Sequence, residues 1–308
     1  MSRLNDKPHS DDAKKQRFGL LCMFFSAVLF SLSGLFIKFV PWSALAVNGG
    51  RTLISTSVIG LYMLITRHRL RFNRSVLIGT VWLAATTLLF VMANKLTTAA
   101  NSIVLQFTAP IFIILLMWIV YRDKPKKLDV ITCVIVFAGI VFFFIDGLSV
   151  GGMLGNILAL LSGMTYAGVF MMEMAKEADA MSSVFFGHLL SAVIGIPFVF
   201  GETDFSPKVL LALGVLGVLD MGLGYIFFTT GLKYTKPVAA SLVSGIEPIL
   251  NPTWAAIFGN EYMSPLALVG AAIVLVTIVT YNCIKAKHPD VRTDPETKDK
   301  TNSDISNA

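Results

Sequence analysis

The stretch TAANSIVLQFTAPIFIILLMWIVY, residues 98–121, decides the fold. It runs for 24 residues without a charged side chain, between Lys95 on one side and Arg122 on the other. A helix needs about 20 apolar residues to cross the hydrocarbon core of a bilayer. This stretch is long enough to do so, and Ser102, Gln106 and the helix-bending Pro110 sit inside it.

Nine stretches of the same kind surround it. The spans read as 18–40, 43–66, 75–93, 98–121 and 128–145 in the first half, then 153–174, 182–201, 208–231, 237–258 and 265–284 in the second. Charged or turn-forming residues separate them, as at 67–74, 122–127, 146–152 and 259–264. The expected class is an all-α membrane protein of ten transmembrane helices. Composition agrees: 55% of the 308 residues are apolar and only 14% are charged, with a mean hydropathy of +0.72. The 24 Gly, 23 Phe and 13 Met suit helices packed in lipid, where small residues let backbones approach and larger ones fill the gaps.

The net charge of +6 lies in short gaps between apolar runs and not on one face of a folded module, so no nucleic-acid partner is expected. It orients the chain instead. Of the 25 Lys and Arg, 21 fall on the side that holds both termini, and only Lys95 and Lys208 fall in loops on the other. By the positive-inside rule both termini are cytoplasmic, and an inner (plasma) membrane location follows. Lys14, Lys15 and Arg17 precede the first apolar run as in a secretory signal, but 18–40 is longer than a signal's apolar core, so the run is read as retained. Cys22, Cys133 and Cys283 lie within apolar runs at wide spacing and read as small hydrophobes. Neither a metal site nor a cofactor is expected. The tail 285–308 has no apolar periodicity and is expected to be disordered.

The fourth and ninth spans share a layout. Lys95, Thr97, Pro110, Ile111 and Asp123 correspond to Lys233, Thr235, Pro248, Ile249 and Glu261 at a constant offset of 138. Gly19 and Ser26 in the first span match Gly155 and Ser162 in the sixth at an offset of 136. The chain therefore divides into a cytoplasmic segment 1–17, a first five-helix repeat 18–146, a second 147–284, and the tail. Five crossings is an odd number, so the second repeat enters the membrane from the opposite side. Inverted repeats of this kind build alternating-access carriers.

Over residues 18–284 the chain resembles the drug/metabolite transporter superfamily, in its ten-helix EamA-like branch. The run Thr235-Lys236-Pro237-Val238-Ala239-Ala240-Ser241-Leu242, continuing through Ile246-Glu247-Pro248-Ile249 to Gly259-Asn260-Glu261, is similar to that family's ninth-helix signature. Asp123 stands where the first repeat usually carries glutamate, and Arg51-Thr52-Leu53 is similar to the arginine often found early in the second span. The resemblance implies carriers for amino acids, nucleobase-like metabolites or drugs, commonly exporters.

Asp220 is the most informative single residue, because an ionised carboxylate near the middle of a span costs about 3 kcal/mol or more. With Gly214, Gly217 and Gly224 it forms a stripe at helical spacing. It reads either as a protonated, hydrogen-bonded packing residue or as a site for proton coupling or a substrate amine. Trp82 occupies the equivalent position in the first repeat. Glu247 stands before the helix-bending Pro248 and shares a stripe with Ser244 and Asn251; the first-half counterparts are Ser102, Gln106 and Pro110. Glu247 is either part of a structural kink or a ligand. Arg51, near Asn48 and Ser55, either snorkels to headgroups or binds a carboxylate. Lys38 reads as an interfacial anchor, and His188 as a packing residue with a weaker claim to proton relay. Among the aromatic side chains Trp82, Phe90, Tyr166, Phe170 and Tyr225, the pocket assignments rest on Trp82 and Tyr166, which share stripes with Thr86 and Ser162, and on Tyr225.

No phosphate-binding Gly-Lys-Ser/Thr loop and no intramembrane-protease or hydrolase motif occurs, so the chain reads as a secondary carrier of a small molecule and not an enzyme. A passive facilitator or an exchanger is the alternative. The partners expected are the substrate and the lipid bilayer. One chain holds both repeats, so a monomer suffices and a homodimer stays open.

Overall fold

A computed structural model describes residues 8–122, 124, 126–150, 152–172, 175–235 and 243–287. Residues 236–242 of the ninth-span signature, Asp123, and the tail from 288 onward lie outside the described residues. All regular structure among the described residues is helical. The helices are α1 Pro8–Phe30, α2 Ser33–Phe39, α3 Ala44–Ile65, α4 Arg74–Leu96, α5 Ala99–Gln106, α6 Ala109–Tyr121 and α7 Lys127–Val150 in the first half. In the second half come α8 Met153–Met171, α9 Ala180–Val199, α10 Pro207–Gly214, a π-helical stretch Val215–Leu223, α11 Gly224–Tyr234, α12 Glu247–Gly259 and α13 Pro265–Lys287. Among the described residues six stretches are long and apolar enough to cross a membrane: Arg17–Phe39, Arg74–Leu96, Ala99–Val120, Met153–Met171, Ala180–Val199 and Pro207–Tyr234. Helix α3 matches them in length but carries a buried polar face of Asn48, Arg51, Thr52, Ser55 and Thr56.

Several stretches that read as single spans are broken. The first is interrupted at Ser31 and Leu32, where Ser31 Oγ donates to Val28 O at 2.6 Å and Ser33 Oγ donates to Phe30 O at 2.7 Å. Side-chain hydroxyls that bond back to the preceding turn compete with the helical ladder and bend it. The fourth span breaks at Phe107–Thr108, and the ninth at Gly245–Ile246. In both, the proline lies just past the break, as Pro110 and Pro248 in the first turn of the new helix. There the missing N–H costs nothing. These prolines therefore start helices instead of bending continuous ones.

The helix boundaries recur at the offset of the sequence repeat. Helices α6 and α12 begin and end 138 residues apart, and each is capped by a left-handed residue, Arg122 at φ 54° and Asn260 at φ 51°. Helices α7 and α13 also begin 138 residues apart, at Lys127 and Pro265. The packing follows the same rule. Helix α1 lies on α11 as α8 lies on α4; α3 lies on the π-helical stretch as α9 lies on α4; and α3 with α9, and α7 with α13, form pairs that map onto themselves. At the α3–α9 crossing the backbones meet directly. A Cβ on Gly49 would lie 2.3 Å from Gly195 C, and one on Gly195 would lie 2.5 Å from Gly49 Cα. Small residues at such crossings are what helix association in lipid requires.

Candidate functional site

The three helix breaks and the π-helical stretch face one interior cavity. Ser33 comes just after the α1–α2 break, Gln106 ends α5, Glu247 begins α12, and Asp220 and Met221 sit on the π-helical stretch. Arg51 from α3, Thr86, Thr87 and Phe90 from α4, Tyr166 from α8, Phe30 from α1 and Tyr225 from α11 complete the lining. The cavity is about 30 Å³, and a single water needs roughly 10–15 Å³. A metabolite needs more, so binding one requires the helices to move apart.

Arg51 is fully buried, which excludes the snorkelling reading. Its Nε and Nη2 reach Asn48 Oδ1, one turn earlier, at 3.4 and 3.3 Å, and Nη2 also donates to Thr87 O at 3.1 Å. Its Nη1 faces Asp220 Oδ2 at 3.6 Å, an ion pair too long for a hydrogen bond. Among the described residues neither Arg51 Nη1, nor either oxygen of Asp220, nor Glu247 Oε2 has a hydrogen-bond partner, although all are buried. Glu247 lies in the first turn of α12, where the helix dipole favours a negative charge. One donor and two carboxylates are thus held in place with spare bonding capacity directed at the cavity.

Other polar groups around the cavity are hydrogen-bonded, although His188 Nε2 behind it has no partner among the described residues. Gln106 Nε2 donates to Ser162 Oγ at 2.7 Å, and Thr86 Oγ1 donates to Thr165 Oγ1 at 2.9 Å. His188 is buried behind the site, with Nδ1 2.8 Å from Ser55 Oγ and its ring edge-on to Tyr225 at 4.9 Å. Tyr225 in turn lies 4.8 Å from the Phe30 ring.

Some of the sequence candidates fall elsewhere. Trp82 faces outward into a lateral cleft of about 310 Å³ with Leu116, Val120, Gly168, Met171 and Met172, and a Cβ on Gly168 would lie 2.3 Å from the Trp82 ring. A second cleft of about 460 Å³ is lined by Leu32, Leu35, Phe36, Phe39, Trp254 and Phe258. Leu32, Leu35 and Phe36 stand 136 residues before Gly168, Met171 and Met172, and Trp254 and Phe258 stand 138 after Leu116 and Val120. The two clefts are copies of one another in the repeat. Ser244 is buried but outside the cavity lining, and the Asn251 amide packs over Gly34 of α2. The glycine stripe around Asp220 is also divided. The π-helical stretch turns Gly217 and Gly222 toward Ile54 and Val58 of α3 and Gly224 toward Phe30, while nothing lies within 4 Å of a Cβ at Gly214. Phe30 and Thr87 are lining residues that were not singled out. The repeat register points to them, since they are the counterparts of Tyr166 and Tyr225.

At one end of the bundle Lys38 Nζ donates to Thr97 O at 2.7 Å and lies 3.6 Å from Glu261 Oε1, which accepts from Ala99 N at 2.9 Å. Lys95 donates to Val40 O beside them. These contacts tie together the ends of α2, α4, α5 and α12.

Comparison with known proteins agrees with this architecture. The EamA-like transporter family matches at residues 17–145 and again at 153–283. The chain is similar to the uncharacterized transporter YwfM of Bacillus subtilis, at 26% identity over 282 residues, covering 87% of this chain and 94% of that one. It is also similar to an uncharacterized transporter of Archaeoglobus fulgidus, at 24% identity with 85% and 96% covered, and to mouse solute carrier family 35 member G1, at 24% identity with 86% and 79% covered. A solved crystal structure shares the fold at a TM-score of 0.62 and 17% identity, covering 87% of this chain and 98% of its own. The family and these relatives are transporters rather than enzymes. With a family match along nearly the whole membrane region, in two consecutive copies, the chain belongs to the EamA-like transporter family of the drug/metabolite transporter superfamily.

Proposed function

We propose that the protein is a secondary active transporter that exports a small polar or amphipathic metabolite, such as an amino acid or related compound or a drug, across the plasma membrane by alternating access. In this reading the helices form ten crossings in two inverted repeats, 18–146 and 147–284, with both termini cytoplasmic. The observation that carries it is the convergence of three helix breaks and a π-helical stretch on a cavity holding Arg51, Asp220 and Glu247. Interrupted helices at membrane depth are tolerated where they line a cavity, and they supply both the ligand groups and the flexible points of carriers.

Charge balance supports proton coupling. Arg51 brings one positive charge against the two carboxylates of Asp220 and Glu247, so full ionisation leaves a buried negative charge with no counter-ion among the described residues. A proton, or a cationic group of the substrate, removes it. As Asp220 or Glu247 takes up and releases that proton, occupancy of the site is linked to the gradient. A substrate is found first by thermal shift, since a ligand of the native state raises its apparent stability. Counterflow in liposomes then confirms transport. With a substrate in hand, an imposed pH gradient should drive uphill flux in the wild type and not in Asp220→Asn. Flux indifferent to both the gradient and the substitution points to a facilitator or exchanger.

A further inference from the structure

The loop between α3 and α4 carries Arg67, Arg69 and Arg71, and α4 opens on Arg74, all four exposed, with Leu70 and Phe72 exposed between them at 52% and 72%. Its shape is set by other side chains. His68 Nε2 lies 2.9 Å from Asp179 Oδ2, and Ser182 Oγ accepts from Arg71 N at 3.0 Å while donating to Asp179. Asn73 Nδ2 donates to Glu177 O, and Ser75 Oγ to Lys176 O, each at 2.9 Å. Burial pushes the Asp179 carboxyl up, but the bonds from Ser182 and His68 outweigh it and hold the group below its ordinary range. Asp179 is therefore an occupied carboxylate and not a partner left over for the arginines. Among the described residues none of the four guanidinium groups makes an ion pair or a side-chain hydrogen bond.

Four cations on a pinned loop, unpaired among the described residues, offer phosphate oxygens a set of charged donors. Their surroundings select among phosphates. Leu64 and Ile65 at the end of α3, and Leu77, Ile78 and Val81 on α4, are exposed apolar residues flanking the loop on the membrane-spanning helices. The Phe72 ring stands edge-on to Phe186 of α9 at 5.7 Å. A soluble anion gains nothing from these groups. A phospholipid does, because its chains lie along the helices while its headgroup meets the arginines. We propose that the Arg67–Arg74 loop is a binding site for the headgroup of an anionic phospholipid. The proposal goes beyond the transport reading and depends only on the chain lying in a bilayer, so the two fail separately.

Purified full-length protein would be offered equal amounts of phosphatidylglycerol and phosphatidylcholine with the same chains, and retained lipid read by native mass spectrometry. Phosphatidylglycerol should be retained preferentially. The variant R67Q/R69Q/R71Q/R74Q should lose that preference, with each arginine contributing about fivefold in affinity. If the quadruple variant fails to fold, the single variants Arg69→Gln and Arg71→Gln should each show one such step. The pair Leu70→Ser and Phe72→Ser keeps the charges and should still weaken phosphatidylglycerol binding. Equal retention by wild type and the arginine variants overturns the proposal. So does displacement of the lipid by millimolar inorganic phosphate, which would make this a soluble-anion site.

Discussion

Helix α4 and its counterpart, the run of α10, the π-helical stretch and α11, end 138 residues apart at Leu96 and Tyr234 yet are built differently. The first is a regular helix of 23 residues that carries Trp82 into a lateral cleft. The second spans 28 residues, and its nine-residue π-helical stretch turns Asp220 toward Arg51. The same holds across the site. The counterpart of Arg51 is Gly187, and that of Glu247 is Ala109. The frame repeats, whereas the charges do not. A faithful copy of the Arg51–Asp220 pair would put a second arginine and a second aspartate at positions 187 and 82; Gly187 and Trp82 stand there, so the cavity holds one such pair. A π-helical turn is a common device for re-aiming one side chain without rebuilding its helix.

Breaking that asymmetry should have the largest effect. Asp220→Asn or Arg51→Gln leaves a buried group without its partner, and each should cost about 3–5 kcal/mol of stability. The double variant should recover part of the loss, as measured by unfolding in detergent and a double-mutant cycle. Strict additivity would mean that the two groups are not coupled.

The frame can be tested next. Gly49→Ala forces a Cβ against the α9 backbone, and Gly217→Ala forces one against Ile54, so each should destabilise by about 1–3 kcal/mol. Gly214→Ala meets open space and should be neutral or stabilising by up to about 1 kcal/mol through helix propensity. If all three behave alike in thermal unfolding, the division of the glycine stripe by the π-helical stretch is wrong.

The smallest effect on stability is expected at the end of the bundle. Glu261→Gln removes the ion pair with the partly exposed Lys38 but leaves an oxygen to accept from Ala99 N, a change of about 0–1 kcal/mol. Its consequence should be conformational. In a cysteine-free background, Ser33→Cys should label faster with a polar maleimide from the Lys38 side once Glu261 is neutralised. Unchanged labelling would leave these contacts with no role in closing the cavity.

Much of the frame was legible in the sequence. Hydropathy located the apolar stretches, and the offset of 138 anticipated the matched starts and ends of α6 with α12. The site was less so. Arg51, Asp220, Glu247, Gln106, Tyr166 and Tyr225 do meet at one cavity, but Trp82, Ser244 and Asn251 do not line it. Stripes at helical spacing assume continuous α-helices, and three of the relevant spans are broken or π-helical where the site lies. Trp82 was paired with Thr86 on such a stripe, yet in the packed structure the two sit at different depths, one in the outer cleft and the other on the cavity.

The sequence by itself determined that the chain lies in a membrane, where its apolar stretches fall, and that a pattern of residues recurs at an offset of 138. Each of these is a local property, written in runs of side chains or in their recurrence. Only the tertiary structure decided where the helices break, which way the π-helical stretch turns Asp220, and that Arg51 is buried against it instead of snorkelling. Those outcomes depend on what the other half of the molecule presents across the cavity, and no single span contains that information.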